Sequence, residues 1–171
     1  CPADKALYAL RDVTGTVNCI PLIASSIVSK KLASGAGAIV LDVKTGSGAL
    51  MHTVEDSIAL AKAMVDIGAQ AGKPILALVT GMEQPLGTHV GNALEVKEAI
   101  DILAGRAGGD LLAVSLELGS RMLVAAGIAR DVDDGKARMK HALESGAGLA
   151  KLKEMIAAQG GDAGVCDDVT R

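Results

Sequence analysis

Two short apolar runs separated by a helical pattern constrain the fold of this chain more than any other feature. They are Ala-Ile-Val-Leu-Asp-Val at residues 38–43 and Pro-Ile-Leu-Ala-Leu-Val at residues 74–79. Runs of this kind predict parallel strands covered on both faces. Thr53 and Asp56 resemble a capping box and open a helix between them. The residues expected on its inner face are Ile58, Ala61, Met64 and Val65.

Strand, helix and strand within about forty residues form a right-handed crossover. We therefore predict an α/β fold with a parallel sheet flanked by helices. Upstream, Pro2 opens a helix predicted over 2–14, and Asn18 caps another over 19–34, which Gly35 ends. Downstream, a loop over 82–91 precedes helices predicted over 92–103, 110–129, 131–145 and 148–159. Residues 160–171 have little pattern, so we expect one domain over 1–159 followed by a linker.

The overall composition excludes several classes of function. The 171 residues include one aromatic side chain, Tyr8, and the net charge is −3, which argues against nucleic-acid stacking and against binding an anionic surface. No apolar run approaches membrane-spanning length, and the three cysteines lack paired spacing. We expect a cytoplasmic protein without membrane or nucleic-acid partners, acting on a small molecule or another protein.

Three polar groups are not required by helix packing. Ser26 and Lys30 are four residues apart, so both project from one helix face, and Arg11 reaches them if the connection over 15–21 folds the two helices together. Together they offer a fork of N–H donors, a positive charge and a hydroxyl. This set suits a small planar ligand whose carbonyl oxygens gain negative charge. The alternative is a solvated Arg and Lys beside an ordinary helix serine.

Other motifs are less specific. The turn Gly46-Ser47-Gly48 after the first strand either cradles an anion through its N–H groups or is only a turn, and Asp42 either holds that turn or takes part in chemistry. The three histidines share no helical spacing, so no transition-metal site is predicted.

Longer stretches of sequence point to a known family. The first group comprises Tyr8-Ala-Leu-Arg-Asp-Val-Thr-Gly-Thr-Val, Ile20-Pro-Leu-Ile-Ala-Ser-Ser-Ile, Ser29-Lys-Lys-Leu and Leu41-Asp-Val-Lys-Thr-Gly-Ser-Gly-Ala. Further on come Gln84-Pro-Leu-Gly, Gly91-Asn-Ala-Leu-Glu-Val-Lys-Glu-Ala-Ile and Gln159-Gly-Gly-Asp. Over essentially the whole chain, these stretches resemble the pyrimidine-nucleoside phosphorylases, the family that includes thymidine phosphorylase.

The resemblance implies reversible phosphorolysis, in which phosphate as co-substrate converts a pyrimidine nucleoside into free base and pentose 1-phosphate without an organic cofactor. Arg11, Ser26 and Lys30 are implied to bind the base, and Arg11 and Lys30 to act catalytically by stabilising its departing negative charge. The apolar residues implied to line the base pocket are Val17, Ile23 and Leu50, the last usually Phe in the family.

The resemblance also implies a potassium ion, held by main-chain carbonyls of Leu86 and His89 and by the side chain of Glu98. From its pattern alone, Glu98 is predicted to be a helix-surface acid. The full-length enzyme is expected to be a homodimer. Because the family's phosphate-binding residues lie upstream of the matched portion and its C-terminal domain follows it, this chain is expected to be the base-binding portion, with the linker over 160–171 leading to that domain, and inactive alone.

Two alternatives remain from the sequence. One is a phosphoribosyltransferase resembling the anthranilate enzyme, which uses magnesium and a pyrophosphate-bearing sugar. The other is a non-catalytic small-molecule-binding domain that keeps the pocket without the chemistry.

Overall fold

The computed structural model describes residues 2–169. The chain divides into two compact units. The first, called here the strand unit, comprises the residues up to 84 together with 121–128, and the second, called the helical unit, comprises 85–120 together with 129 onward.

The strand unit contains a parallel pair of strands, as predicted. Strand β1 spans Ile39–Thr45 and strand β2 spans Ile75–Gly81, with Ile39 opposite Ile75 and Lys44 opposite Thr80. The connecting helix makes this a strand–helix–strand crossover, so the α/β fold class is confirmed. The prediction that both faces of the sheet are covered was wrong for the residues described. One face is buried, whereas Leu76 on the other face keeps 43% of its surface exposed.

The crossover helix begins at the predicted cap. Helix α4 spans Val54–Gln70, and the Thr53 hydroxyl oxygen accepts the Asp56 N–H at 3.1 Å. The predicted inner face is correct at Ala61 and Met64, which are buried, but wrong at Ile58, which is 40% exposed. Its place on the buried face is taken by Ser57 and Leu60.

Three helices precede β1. Helix α1 spans Pro2–Ala9, α2 spans Arg11–Thr14 and α3 spans Ile20–Ala33, so the single helix predicted over 2–14 is interrupted at Leu10. Gly15, with φ of 67°, ends α2. The N-cap of α3 is Cys19 without a side-chain hydrogen bond, so the prediction that Asn18 caps it was wrong.

The core of the strand unit lies between α3, α4 and the sheet. Its buried apolar residues are Ile23, Ala24, Val28, Ile39, Leu41, Val43, Met51, Leu60, Ala61, Met64 and Ile75. This packing fixes α3 along the sheet and thereby fixes the direction of its outer, polar face.

The helical unit is formed by helices that follow the predicted order. They are α5 over Asn92–Leu103, α6 over Asp110–Ala125, α7 over Val132–Glu144 and α8 over Ala147–Ala158. Helix α6 ends four residues before the predicted limit, and Gly127 follows with a φ of 70°. Its last residues, from Arg121, group with the strand unit.

The segment predicted to be a linker contains some structure. A 3-10 helix over Ala163–Cys166 packs on α8 and buries Cys166 to 2% exposure. Residues 170 and 171 lie outside the described part of the chain, and the linker role of 160–171 stays a prediction. Within residues 2–169, no helix is long and apolar enough to cross a membrane.

Candidate active site

Ser26 and Lys30 lie side by side on the outer face of α3. The Lys30 ammonium donates a hydrogen bond of 2.6 Å to the Ser26 hydroxyl oxygen. Ser26 is buried at 5% exposure, while the Lys30 side chain keeps 44% of its surface exposed. The four-residue spacing thus produces one contiguous donor surface on two helical turns.

Arg11 approaches the same surface from α2. Its guanidinium carbon lies 3.1 Å from the centroid of the Tyr8 ring, and the Lys30 ammonium lies 5.3 Å from that centroid. Both cations therefore lie within cation–π range of one aromatic ring. The sequence analysis did not assign Tyr8 to the site.

One donor of Arg11 has no acceptor. Its Nη1 donates to the Val17 carbonyl at 3.2 Å, but the buried Nε–H has no hydrogen-bond partner among the described residues. A buried, unsatisfied N–H costs about 1–3 kcal/mol. The Nε atom itself is buried, so a ligand oxygen reaches this N–H only if the Arg11 side chain moves.

A cavity of about 440 Å³ opens between α1, α2 and α3. That volume is within the range of small-molecule sites. Its lining residues are Ala3, Asp4, Leu7, Tyr8, Arg11, Leu22, Ser25, Ser26 and Ser29. Apolar side chains form much of the wall, and the polar groups converge near Arg11 and Ser26.

Asp4 is a further residue that the sequence analysis missed. Its Oδ2 lies 2.8 Å from the Lys30 ammonium, and hydrogen bonds from Lys30 and then Ser26 hold the pKa of Asp4 below its ordinary value. Asp4, Tyr8 and Arg11 are spaced by four and three residues. This helical spacing was the sequence signal that could have placed all three on one surface.

The Gly46-Ser47-Gly48 turn has no N–H group available to cradle an anion. Gly46 N–H donates to the Met51 carbonyl, Ser47 N–H to Glu83 Oε2 at 3.2 Å, and Gly48 N–H to the Met82 carbonyl at 2.9 Å. The chain's own acceptors occupy these donors, so the structure favours the interpretation as a turn.

Asp42 is part of an internal charged cluster. It pairs with the Lys44 ammonium at 2.8 Å and accepts the Thr80 hydroxyl, and Lys44 also donates to Thr80 at 2.8 Å. The two contacts with Thr80 link β1 to β2, and none of the three contacts involves the turn.

In the helical unit, Glu98 is buried at 5% exposure, so its description as a helix-surface acid was wrong. Its carboxylate accepts the Thr88 N–H at 2.8 Å, the Thr88 hydroxyl at 2.9 Å and the His89 N–H at 3.2 Å. The first of these bonds does most to lower the pKa of Glu98. The result is an ionised carboxylate enclosed by the loop that contains Leu86 and His89.

The loop around Glu98 is the segment predicted to hold a potassium ion. No cluster of three or more His, Cys, Asp or Glu side chains with metal-site geometry occurs within residues 2–169. The groups that contact the Glu98 carboxylate here are the N–H and O–H donors of Thr88 and His89. The ligands Leu86, His89 and Glu98 stay a prediction.

A family profile described as the glycosyl transferase family, a/b domain, matches residues 1–149. The chain belongs to this glycosyl transferase family. The match also confirms the predicted α/β fold.

Several members of the family are similar to the chain over nearly all of its length. The pyrimidine-nucleoside phosphorylase of Bacillus subtilis (strain 168) is 56% identical over 170 residues, which is 99% of this chain and 39% of that protein. The enzyme of the same name from Staphylococcus aureus (strain USA300) is 58% identical, with the same coverage. That of Staphylococcus haemolyticus (strain JCSC1435) is 57% identical over 166 residues. The chain thus spans about two fifths of the length of these curated relatives and is a homologue over their α/β-domain portion. The predicted resemblance to the pyrimidine-nucleoside phosphorylases is therefore confirmed.

The apolar residues predicted to line the base pocket lie in different places in this member of the family. Val17 is half-buried and presents its carbonyl to Arg11. Ile23 is 1% exposed and lies in the core, while Leu50 is 45% exposed in the turn after β1. None of the three is among the residues that line the cavity described above. Their contact with a base stays a prediction.

Proposed function

We propose that this chain is the base-binding portion of a pyrimidine-nucleoside phosphorylase. The observation that carries the proposal is the cavity lined by Arg11 and Ser26, with the Lys30 ammonium bonded to that serine. The names of relatives 56–58% identical support the substrate class, a pyrimidine nucleoside with phosphate as co-substrate.

The proposed reaction is the one that the family resemblance implies, and the charge of the site is compatible with it. Phosphate attacks the anomeric carbon, the bond to the base breaks, and the departing base carries negative charge on its ring oxygens. Arg11 and Lys30 supply positive charge and N–H donors to that base, and the half-buried setting of Arg11 strengthens its contact relative to water. Losing one such donor is expected to reduce the rate by about 100-fold or more in the complete enzyme.

We further propose that Leu86 and His89, through main-chain oxygens, and Glu98, through its carboxylate, hold a potassium ion. Bound there, the ion would neutralise the buried Glu98 charge and brace the loop over 86–89 by electrostatic attraction. The support is the ionised, enclosed carboxylate of Glu98. A homodimeric, cytoplasmic full-length enzyme is proposed from the family resemblance.

Base binding provides the direct test. Calorimetric titration of the 171-residue chain with uracil and thymine should show saturable binding, weakened on the order of 10- to 100-fold by Arg11→Ala or Lys30→Ala. Lys31→Ala is the matched control, since Lys31 is the neighbouring lysine of α3 but lies outside the hydrogen-bonded group that Lys30 forms with Asp4 and Ser26. Arg11→Lys keeps the positive charge but loses the forked N–H donors of the guanidinium group, and this variant is expected to bind the base less well than wild type.

Other outcomes would replace the proposal. Magnesium-dependent binding of phosphoribosyl pyrophosphate would favour the phosphoribosyltransferase. A folded chain without base binding would favour a different small-molecule-binding domain. Release of base from uridine or thymidine with phosphate by the 171-residue chain would contradict the expectation that it is inactive alone.

A further inference from the structure

The Lys30 ammonium has most of its donors committed within the protein. An ammonium carries three N–H groups. One donates to Ser26 Oγ at 2.6 Å and one to Asp4 Oδ2 at 2.8 Å. One N–H therefore remains for a ligand oxygen, and its direction is set by the two bonds already made.

Asp4 is placed for this role by tertiary structure. It lies on α1, 26 residues before Lys30, and its side chain is 19% exposed at the wall of the cavity. The ammonium and the Ser26 hydroxyl both contribute to lowering its pKa, so the carboxylate is ionised at neutral pH. Asp4 thus contacts the charge of one proposed base-binding residue and the hydroxyl of another.

The carboxylate also changes the charge of the cavity. Arg11 and Lys30 are two cations, and with Asp4 present the group carries one net positive charge. While a monoanionic base is still in the cavity, the net charge of the base together with this group is zero. Without Asp4 the cavity would carry two positive charges and would retain the anion more strongly.

We propose that Asp4 is a positioning residue of the base pocket, which orients the Lys30 ammonium and limits the pocket's positive charge so that an anionic pyrimidine can leave. The orienting role concerns Lys30 whether or not a base binds, and the charge role rests on the proposed function. A purely structural Asp4, which only fastens α1 to α3, would alter stability without altering the preference for charge.

The charge role is tested with 5-fluorouracil, whose N3–H is more acidic than that of uracil. Its affinity is measured below and above the pKa of that group for wild type, Asp4→Asn, Asp4→Glu and Asp12→Asn. In Asp4→Asn, the ratio of anion affinity to neutral-form affinity is expected to rise on the order of tenfold. Asp4→Glu should keep a ratio close to wild type because it keeps the charge. Asp12, exposed on α2 outside the cavity lining, is the matched control.

The positioning role is tested without any base. Trace acetylation with acetic anhydride, read by mass spectrometry, reports how readily the Lys30 amine is released from its partners. Asp4→Asn and Asp4→Ala are expected to raise the acetylation rate of Lys30 several-fold relative to that of Lys31. Asp12→Asn is expected to leave the acetylation rate of Lys30 unchanged. Circular dichroism identifies variants that remain folded.

The two measurements separate failure of this inference from failure of the proposed function. An unchanged Lys30 rate in folded Asp4→Asn overturns the inference, as does an unchanged affinity ratio. If the wild-type chain binds no pyrimidine, the base-binding function and the charge role fall together, and the Lys30 rate alone decides whether Asp4 positions the ammonium.

Discussion

At the residue scale, Arg11 in the cavity wall has only part of its N–H groups paired with hydrogen-bond acceptors of the described chain. The Arg11 Nε–H is buried without an acceptor in the described chain, although the same guanidinium stacks on Tyr8 and bonds to the Val17 carbonyl. An unsatisfied buried donor destabilises the protein by about 1–3 kcal/mol. That free energy is recovered if the Arg11 side chain moves so that this N–H donates to a ligand oxygen.

Gly48 illustrates a residue fixed by close packing. A Cβ at this position would lie 2.8 Å from the Met82 carbonyl oxygen, a backbone atom that cannot turn away. Gly48→Ala is therefore expected to lower the free energy of unfolding by about 1–3 kcal/mol, measured by urea denaturation. Gly37→Ala is the control, since nothing lies within 4 Å of its Cβ position. Equal stabilities of the two variants would contradict this account.

The contacts of the Glu98 carboxylate predict that the stability of the loop containing Thr88 and His89 depends on pH. Its pKa is lowered in the folded protein, so its stabilising bonds are complete above the ordinary carboxyl pKa of about 4 and are lost as the pH falls through the lowered folded value. Glu98→Gln should speed amide hydrogen exchange at Thr88 and His89 and remove this acid dependence. Glu154→Gln, exposed on α8, should leave both unchanged. Unaltered exchange in Glu98→Gln would show that the carboxylate does not hold the loop.

At the element scale, helix ends and glycine-terminated turns fix where each helix begins and stops. Gly15 and Gly127 adopt positive φ after α2 and α6, a backbone conformation that glycine accepts without steric cost. Helix α3 then brings the core and the cavity together, because Ile23 and Val28 pack inward while Ser26 and Lys30 face α1 and α2. Rigid packing on one face therefore positions the donors on the other.

The cap of α4 gives the prediction at this scale. Thr53 Oγ1 accepts the Asp56 N–H at 3.1 Å and its hydroxyl donates to Asp56 Oδ2 at 2.8 Å. Thr53→Ala is expected to cost about 1 kcal/mol of unfolding free energy, read from thermal or urea denaturation. Thr53→Ser keeps the oxygen and should lose much less. A similar loss in both variants would assign the effect to the threonine methyl group instead of the cap.

At the scale of the whole molecule, the composition makes the cavity unusually easy to observe. The chain has one Tyr and no Trp or Phe, and the single Tyr lies in the cavity wall. All intrinsic fluorescence of the folded protein therefore originates beside Arg11 and Lys30.

We expect uracil or thymine to quench this emission in a saturable way, because a base entering the cavity contacts the Tyr8 environment. Arg11→Ala should abolish the saturable component at the same ligand concentrations. Free N-acetyltyrosinamide, titrated in parallel, corrects for light absorbed by the base. Quenching in the protein that only matches this control would place the base elsewhere.

The amino-acid sequence alone determined the position and type of nearly all the elements and the family. Apolar periodicity, caps and glycines act within a few residues, so α5 and the β1–α4–β2 unit could be read from local patterns. The long motif from Tyr8 to Ala49 identified the family because so many residue identities agree in order.

Only the tertiary structure decided which side chains meet. Asp4 contacts Lys30 from 26 residues away, Glu98 is enclosed by its loop, Ile23 turns into the core, and Glu83 occupies a donor of the Gly46-Ser47-Gly48 turn. The physical reason is that burial and hydrogen-bond partners depend on which faces of distant segments pack together, and helical or strand periodicity specifies a face without specifying what covers it.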